Sequence, residues 1–406
     1  MMYKKIVTMS LIFTLTVISM TSLECSSSSN ERNRLEEEFI VKSSDIPCNN
    51  DKEKHLALML AVLEDNAEQV QQLREKGANL NTKRSNGTTP LILAAQENKT
   101  KSLKQLIVEG ADVNMQNNDG QTALVLATFH NNIEGVQSLL LANADPNLSL
   151  NNNNTALTVA AAKNHVDIIK LLIAARSNVN VQQNNGATAL MLAAQEGHIE
   201  IVSLLIGEGA DINMQSQHDT TALISAAKNN HVKVIELLIA AQANLNIQQD
   251  DGSTALMLAT ENDNVEAVRL LINANVNLRT KYGQTVLMHA ALYNIENLKL
   301  LVTAGAKLND RDNVGNTPLM FAARKNNISN LELLIAEGAD VNMQNNDGHT
   351  ALIVAVEYNS IECVKSLLLA EADSSLENKF GCTALHYAKT NEMAEILGNN
   401  FVKRAQ

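Results

Sequence analysis

Short apolar stretches alternate with polar turns along this chain, and the spacing of the apolar positions is that of helices rather than strands. Between Thr188 and Asn213, Leu190, Leu192 and Ala193 supply the inward side of one short helix. Ile199, Ile201, Val202, Leu204, Leu205 and Ile206 form a wider stripe on a second. Thr188 precedes the first helix, where its hydroxyl can satisfy an orphaned backbone N–H. Gly209 follows the second, where the left-handed conformation that ends a helix costs glycine nothing. Asp119-Gly120, Asn185-Gly186, Asp251-Gly252 and Asp347-Gly348 predict hairpin-like turns leading into the next helix.

The pattern repeats. Thr89-Pro90-Leu91 and Thr122-Ala123-Leu124 are followed by equivalents at Thr155, Thr188, Thr221 and Thr254, each 33 residues after the last. Thr285 comes 31 residues later and Thr317 32 later, and Thr350 and Thr383 return to 33, which makes ten anchors. Residues 56–81 keep the helical pattern without the threonine and read as a capping unit. No single unit can bury its own apolar faces, so successive units must stack along one shared core.

From Thr188 the sequence runs Thr-Ala-Leu-Met-Leu-Ala-Ala, passes through the second stripe and closes on Gly-Ala-Asp-Ile-Asn at Asn213. This resembles the ankyrin repeat, whose signature is Thr-Pro-Leu-His-x-Ala, a second helix, then Gly-Ala-Asp-Val-Asn. The resemblance spans roughly residues 52–403. It implies an all-α solenoid of about eleven helix–turn–helix units joined by β-hairpin-like loops, with a capping repeat over 52–84 and ten repeats over 85–403.

Departures from the signature carry their own expectations. The signature histidine survives only at His386, and Ile92, Met191, Met257 and others replace it elsewhere. Asn143, Arg176, Gln242, Asn275 and Glu371 replace the helix-ending glycine, and the units ending at Arg176, Gln242 and Glu371 should be locally weaker. The irregular spacing around Thr285 predicts a loop over 279–284 that is two residues short.

The first 51 residues differ from the rest. Lys4 and Lys5 precede an uncharged apolar stretch over 6–20, too short for a membrane span of roughly 20 residues but suited to a signal-peptide core. We read residues 1–24 as a signal peptide and the Ser-, Asn- and Glu-rich residues 25–51 as a disordered polar tether. Cys25 is a candidate lipidation site, against which Glu24 stands where a lipobox has a small residue. Export to a secreted or periplasmic location, with or without a lipid anchor, is expected, with an uncleaved membrane anchor as the third option, and the membrane is met only through this segment.

Composition then removes whole classes of function. A net charge of −12 does not draw in phosphate backbones, so nucleic acid is not an expected partner. Cys25, Cys48, Cys363 and Cys382 contain no Cys-x-x-Cys pair, which leaves no zinc site and no disulfide framework; a Cys25–Cys48 pair stays open. No phosphate loop, nucleophile elbow or His-Glu-x-x-His helix occurs. His165, His198 and His231 are 33 residues apart and occupy one place in successive units. Units stacked on the order of 10 Å apart cannot bring them to one metal with bonds of about 2 Å. No catalytic residue, metal or cofactor is expected.

What remains is binding. The family resemblance implies contacts from hairpin tips and the exposed side of first helices, that is, the concave face. The central tips, such as Gln116, Gln182 and Gln248, offer neutral amides and little apolar area. The candidate partner-binding residues are Phe129 and His130 in one unit and, towards the C-terminus, Tyr282, Leu292, Tyr293, Arg311, Arg324, Lys325, His349, Glu357, Tyr358 and Phe380. In a chain with 3% aromatic residues, aromatic and Arg side chains at such places attract attention, because binding energy concentrates in them. The bland alternative is that Tyr282 and Phe380 merely precede turn glycines and Leu292 packs on a neighbour. The expected function is an exported, monomeric module that holds a partner protein, with an effector role open. The alternatives are a periplasmic or lipid-anchored scaffold and a non-catalytic regulatory subunit of an enzyme.

Overall fold

The computed structural model describes residues 42–404, the side chains of 399–404 excepted. The signal segment, Cys25 and the tether as far as residue 41 lie outside the described residues. Twenty-one α-helices and no strands are found among the described residues. Two compact units are distinguished, one ending at Asn178 and the other beginning at Val179.

In the first unit the helices pair as α1 (Asp51–Leu63) with α2 (Ala67–Glu75), α3 (Pro90–Gln96) with α4 (Thr100–Val108), α5 (Ala123–Phe129) with α6 (Ile133–Leu141), and α7 (Ala156–Lys163) with α8 (Val166–Ala174). The last residues of the stretch expected as a tether are packed: a 3-10 turn, Ser43–Asp45, donates from the Ser43 N–H and hydroxyl to the Glu64 carboxylate at 2.9 and 2.6 Å, and Ile46 is buried.

The second unit continues with α9 (Ala189–Glu196) and α10 (Ile199–Gly207), α11 (Ala222–Lys228) and α12 (Val232–Ala240), α13 (Ala255–Glu261) and α14 (Val265–Leu271). There follow α15 (Val286–Ala290) and α16 (Ile295–Thr303), α17 (Pro318–Lys325) and α18 (Ile328–Ala336), and α19 (Ala351–Glu357) and α20 (Ile361–Leu369). In the last repeat the first helix is reduced to a 3-10 turn, Ala384–Tyr387, before α21 (Asn391–Arg404). Leu385 there is 49% exposed, whereas its counterparts Leu352 and Leu319 are fully buried by the repeat that follows each of them.

Each element follows from local chemistry. The anchor threonines cap the first helices: Thr188 Oγ1 accepts from Met191 N at 3.3 Å, and Thr89, Thr122, Thr221, Thr254, Thr317 and Thr350 do likewise. At Thr285 the hydroxyl is buried without a partner, and its backbone N–H donates to Met288 Sδ instead. The turn between the two helices of a repeat passes through a left-handed residue, which is why asparagine, aspartate or glycine recurs there, as at Asn98, Asn131, Asn164, Gly197, Asn230 and Asp263.

Repeats are tied to one another by backbone and side-chain bonds in register. The asparagine of each Asp-Val-Asn-like segment accepts from a backbone N–H in the next repeat, as Asn81 does from Asp112 at 2.9 Å, Asn213 from Asn244 at 2.8 Å and Asn342 from Asp373 at 2.8 Å. The loop tips form a second series, with Asn118 N donating to Asn86 O at 3.0 Å and Asn313 N to Tyr282 O at 2.9 Å. Apolar stripes from both helices of every repeat fill the space between, including Leu103, Leu139, Ile201, Leu238 and Leu301.

The helix ends at Asn143, Arg176, Gln242 and Glu371 adopt φ of 61–65°, as their place in the pattern requires. Asn275 does not, and the loop over 279–284 is not short. Thr280 N donates to Gln284 O and Gly283 N to Thr280 O, the same closure seen in the regular loops. The two missing residues lie at the end of α14. Ala274 takes the buried place that Ala210 and Ala243 take elsewhere, and Asn275 N bonds Asn246 as Asn244 N bonds Asn213. Asn275 is therefore the counterpart of Asp211, not of Gly209. A further residue is missing between α15 and α16, where no left-handed residue occurs and α15 is cut to five residues.

Candidate functional site

Loops and first helices present one side of each repeat, and the structure separates the polar groups there into those already engaged and those still available. The central tip glutamines belong to the first kind. Gln116 Nε2 donates to Gly120 O in its own loop at 2.8 Å and to Ser149 O in the next repeat at 2.9 Å. Gln248 repeats this with Gly252 and Arg279, and Gln344 with Gly348 and Glu377. These amides are internal ties, which corrects their reading as hydrogen-bonding groups on offer.

Arg279 and Arg311 take the glutamine's place in the two repeats that begin at Thr285 and Thr317. Arg279 donates to Arg311 O at 2.9 Å and pairs with Asp310 at 3.1 Å. Arg311 donates to Gly315 O at 3.3 Å and to Asn346 Oδ1 at 3.1 Å. Arg311 is thus exposed but anchored within the loop stack.

A half-open hollow of about 150 Å3 lies between the α17 and α19 repeats of the second unit. Its floor is Met320, Phe321 and Val354, and its walls include Arg324, Glu357 and Tyr358 with His349 from the loop. Four of the residues singled out in the sequence meet here: Arg324, His349, Glu357 and Tyr358. Phe321 was not among them, because its position in other repeats holds ordinary core residues such as Leu93 and Leu126. The only signal was the change to an aromatic ring at a place that is 5% exposed. The Arg324 guanidinium lies 4.8 Å from the centre of that ring, a cation–π contact that leaves its N–H edges outward.

His349 is held from three sides. Asn378 Nδ2 donates to its Nε2 at 3.0 Å, the Tyr387 hydroxyl lies 3.3 Å from the same atom, and the Tyr387 ring meets it edge-on at 5.5 Å between centroids. With Nε2 accepting, Nδ1 carries the proton and faces Glu357 Oε2 at 3.9 Å. This ring is a wall of the hollow rather than a mobile contact.

The other candidates are placed separately. Tyr282 and Phe380, 70% and 77% exposed, stand at loop tips together with Val314, an apolar row interrupted only by Asp347. Tyr293 is at the shortened turn after α15, with Leu292 half-buried beside it, and Lys325 is exposed at the end of α17. Phe129 and His130 lie in the first unit, their rings 5.2 Å apart, with Lys163 Nζ 4.0 Å over the Phe129 ring. They form their own small cluster.

The groups that could have signalled chemistry are occupied structurally. His165 Nδ1 is 2.9 Å from Thr128 O and His231 Nε2 is 2.9 Å from Gln195 O, each tying a second helix to the preceding repeat. Burial lowers the His165 pKa, opposed in part by that bond, so the ring acts as a neutral donor at ordinary pH. Cys363 is fully buried, and burial, with Glu332 and Glu362 adding to it, pushes its thiol up to about 11. It is a packing side chain at neutral pH. No group of three or more His, Cys, Asp or Glu side chains suited to a metal ion is found among the described residues, and no described helix is long and apolar enough to cross a membrane.

Paired helices, capping threonines and inter-repeat ties of this kind define a helical repeat solenoid. The chain belongs to the ankyrin-repeat family: a family model described as three copies of ankyrin repeats matches it in overlapping windows, the first over residues 27–117 and the last over 319–404. Among solved structures, it is similar to the ankyrin repeat domain of Bcl-3, a member of the IkappaB protein family. The identity is 29% and the TM-score 0.48 over 53% of this chain and 99% of that one. No curated protein matches the chain. Ankyrin repeats are in general modules for protein–protein interaction and typically lack catalysis of their own.

Proposed function

We propose that this chain is an exported ankyrin-repeat module that holds a partner protein against the face made by its loops and first helices, gripping chiefly through the last four repeats. The observation that carries this reading is the hollow over Met320, Phe321 and Val354, flanked by Arg324 and by Tyr358, which is 54% exposed. An aromatic and Arg rim around an apolar floor is the composition in which interface energy concentrates. Export rests on Lys4, Lys5 and the apolar stretch over 6–20. A second reading, a resident scaffold anchored by lipid, is favoured by Cys25 following that stretch. Recovery of the protein from culture supernatant supports the first reading, and retention in a membrane fraction the second.

The test is capture of partners by the full chain, followed by measurement of the same partner against a Tyr293→Ala, Tyr358→Ala double variant. Both side chains are exposed, so circular dichroism and melting should stay unchanged while binding weakens by roughly 2 kcal/mol or more. Unchanged affinity would show that the footprint lies elsewhere.

A further inference from the structure

The distribution of paired and unpaired cations in the second unit says what kind of partner the face is built for. On the second helices, lysines are neutralised within the helix: Lys233 pairs with Glu236 at 3.0 Å, Lys299 with Glu296 at 2.9 Å and Lys365 with Glu362 at 2.8 Å. On loops and first helices of the last four repeats the arrangement is the reverse. Arg324 and Lys325 at the end of α17, and Lys281 and Lys379 beside the tip residues Tyr282 and Phe380, have no carboxylate within ion-pair distance among the described residues. The corresponding loops and first helices nearer the start of the unit carry Glu196, Asp219, Asp250, Asp251 and Glu261 against a single lysine, Lys228. The last four repeats carry carboxylates in such places too, Asp310, Asp312, Asp347, Glu357 and Glu377, but against six lysines and arginines instead of one. A chain with a net charge of −12 thus has its cations gathered where it also exposes aromatic side chains and opens its hollow.

We infer that the hollow receives an apolar side chain of an acidic protein segment, whose neighbouring carboxylate pairs with Arg324; this inference rests on the binding face proposed above. The space of about 150 Å3 over Met320, Phe321 and Val354 admits one such side chain. Arg324 is suited to the charge. The Phe321 ring supports one face of the guanidinium 4.8 Å away and so leaves its N–H edges for a carboxylate, the planar fork it matches best. Glu357, the carboxylate on the hollow's wall, faces the Nδ1 proton of His349 at 3.9 Å, and its backbone carbonyl accepts from Lys389 at 2.6 Å. The tips are fixed in register by Asn313 N to Tyr282 O, Asn346 N to Val314 O and Lys379 N to Asp347 O, each 2.9 Å, so Lys281 and Lys379 flank the apolar row as a constant feature. An extended acidic segment would meet charge along its length and one apolar anchor point. A basic segment would meet Arg324, Lys325 and Lys379, none of which has a carboxylate within ion-pair distance among the described residues.

The experiment is a selection of a random twelve-residue displayed peptide library on the immobilised full chain, read by sequencing. The expected result is enrichment of peptides with Asp or Glu adjacent to a large apolar residue. The leading peptide should bind the Arg324→Glu variant about tenfold more weakly or worse, and lose affinity as salt is raised. Changing its key carboxylate to lysine should restore binding to Arg324→Glu but not to the wild type. Arg324 is exposed, so the variant is expected to fold, which circular dichroism verifies. Enrichment of neutral or basic peptides that Tyr358→Ala still disrupts would overturn the acidic partner and leave the binding face standing. Peptides that bind the Tyr293→Ala, Tyr358→Ala variant as well as wild type, or no enrichment at all, would overturn both.

Discussion

Gln242 sits at φ 65° in a place where Gly209 in the repeat before it sits at φ 80°. A Cβ added at Gly209 would meet nothing within 4 Å, so the difference between the two sites is backbone conformation alone and not space. A side chain in the left-handed region costs roughly 1–2 kcal/mol, and the greater freedom of glycine in the unfolded chain takes back roughly 0.5–1. Gln242→Gly should therefore stabilise its repeat by about 0.5 kcal/mol, and Gly209→Gln should destabilise by a similar amount, both read as shifts in the urea midpoint. At Asn143, φ 62°, the same change should give less, because asparagine tolerates this conformation. A lower midpoint for Gln242→Gly would mean that its side chain holds something the conformational argument has ignored. The same logic does not extend to Gly197. There a Cβ would stand 2.6 Å from the His231 ring, so a larger residue would also have to displace that ring, as the equivalent turns at Asn131 and Asn164 already accommodate.

Helices, unlike single residues, compensate for one another. The shortened α15 leaves the carbonyls of Ala290, Ala291 and Tyr293 without the continuation of a regular helix, and Asn330 of the next repeat reaches all three with Nδ2 at 3.1, 3.2 and 2.9 Å. The same buried place holds Ile168, Ile201 or Val234 in the central repeats, and in the repeat before it holds Asn297, which donates to Asp263 across a regular turn. Asn330 instead serves the carbonyls that the shortened α15 exposes. Asn330→Ile would gain apolar burial of about 1–2 kcal/mol and relieve the unpartnered Asn330 Oδ1, but it would orphan the Ala291 carbonyl at about 1–3 kcal/mol, whereas Ala290 O keeps the Tyr293 N–H and Tyr293 O keeps Asn327 Nδ2. The two effects nearly offset, so the net expectation is a stability change within about 1 kcal/mol, with faster hydrogen exchange confined to residues 286–303. Unchanged exchange over residues 286–303 would refute the pairing. The comparison also marks what the sequence could disclose. Threonine anchors, helix pairs and left-handed helix ends were legible because each is a local rule repeated ten times. The site of the deletion was not, since counting from one threonine to the next gives the number of missing residues and not their place. The candidate face was half legible: Arg324, His349, Glu357 and Tyr358 converge as their positions imply, whereas Phe321 looked like core, and Gln116 and Arg311 looked free because ties between repeats leave no local pattern.

In the second unit the successive repeats have no common centre. There, α12 packs against α11 of its own repeat and against α10 and α14 on either side, and the principal helix contacts elsewhere likewise reach only to the next repeat. Stability in such an array is close to a sum of unit terms and nearest-neighbour terms. Damage should accordingly be felt nearby and fade with distance along the chain. Leu238 on α12 is fully buried, and Leu238→Ala should cost about 2–5 kcal/mol through lost transfer energy and the cavity left behind. The expected exchange pattern is loss of amide protection over α9–α14, with α17–α20 retaining theirs, because no principal contact carries the loss past the adjoining repeats. Uniform loss of protection from α9 to α20 would instead show that the unit unfolds as one cooperative body. The hollow between α17 and α19 would then depend on every repeat before it. Partner binding in Leu238→Ala separates these cases a second time: a locally stabilised array keeps its affinity, since the binding repeats lie beyond the reach of the cavity, and a cooperative one loses it in proportion to the fraction unfolded.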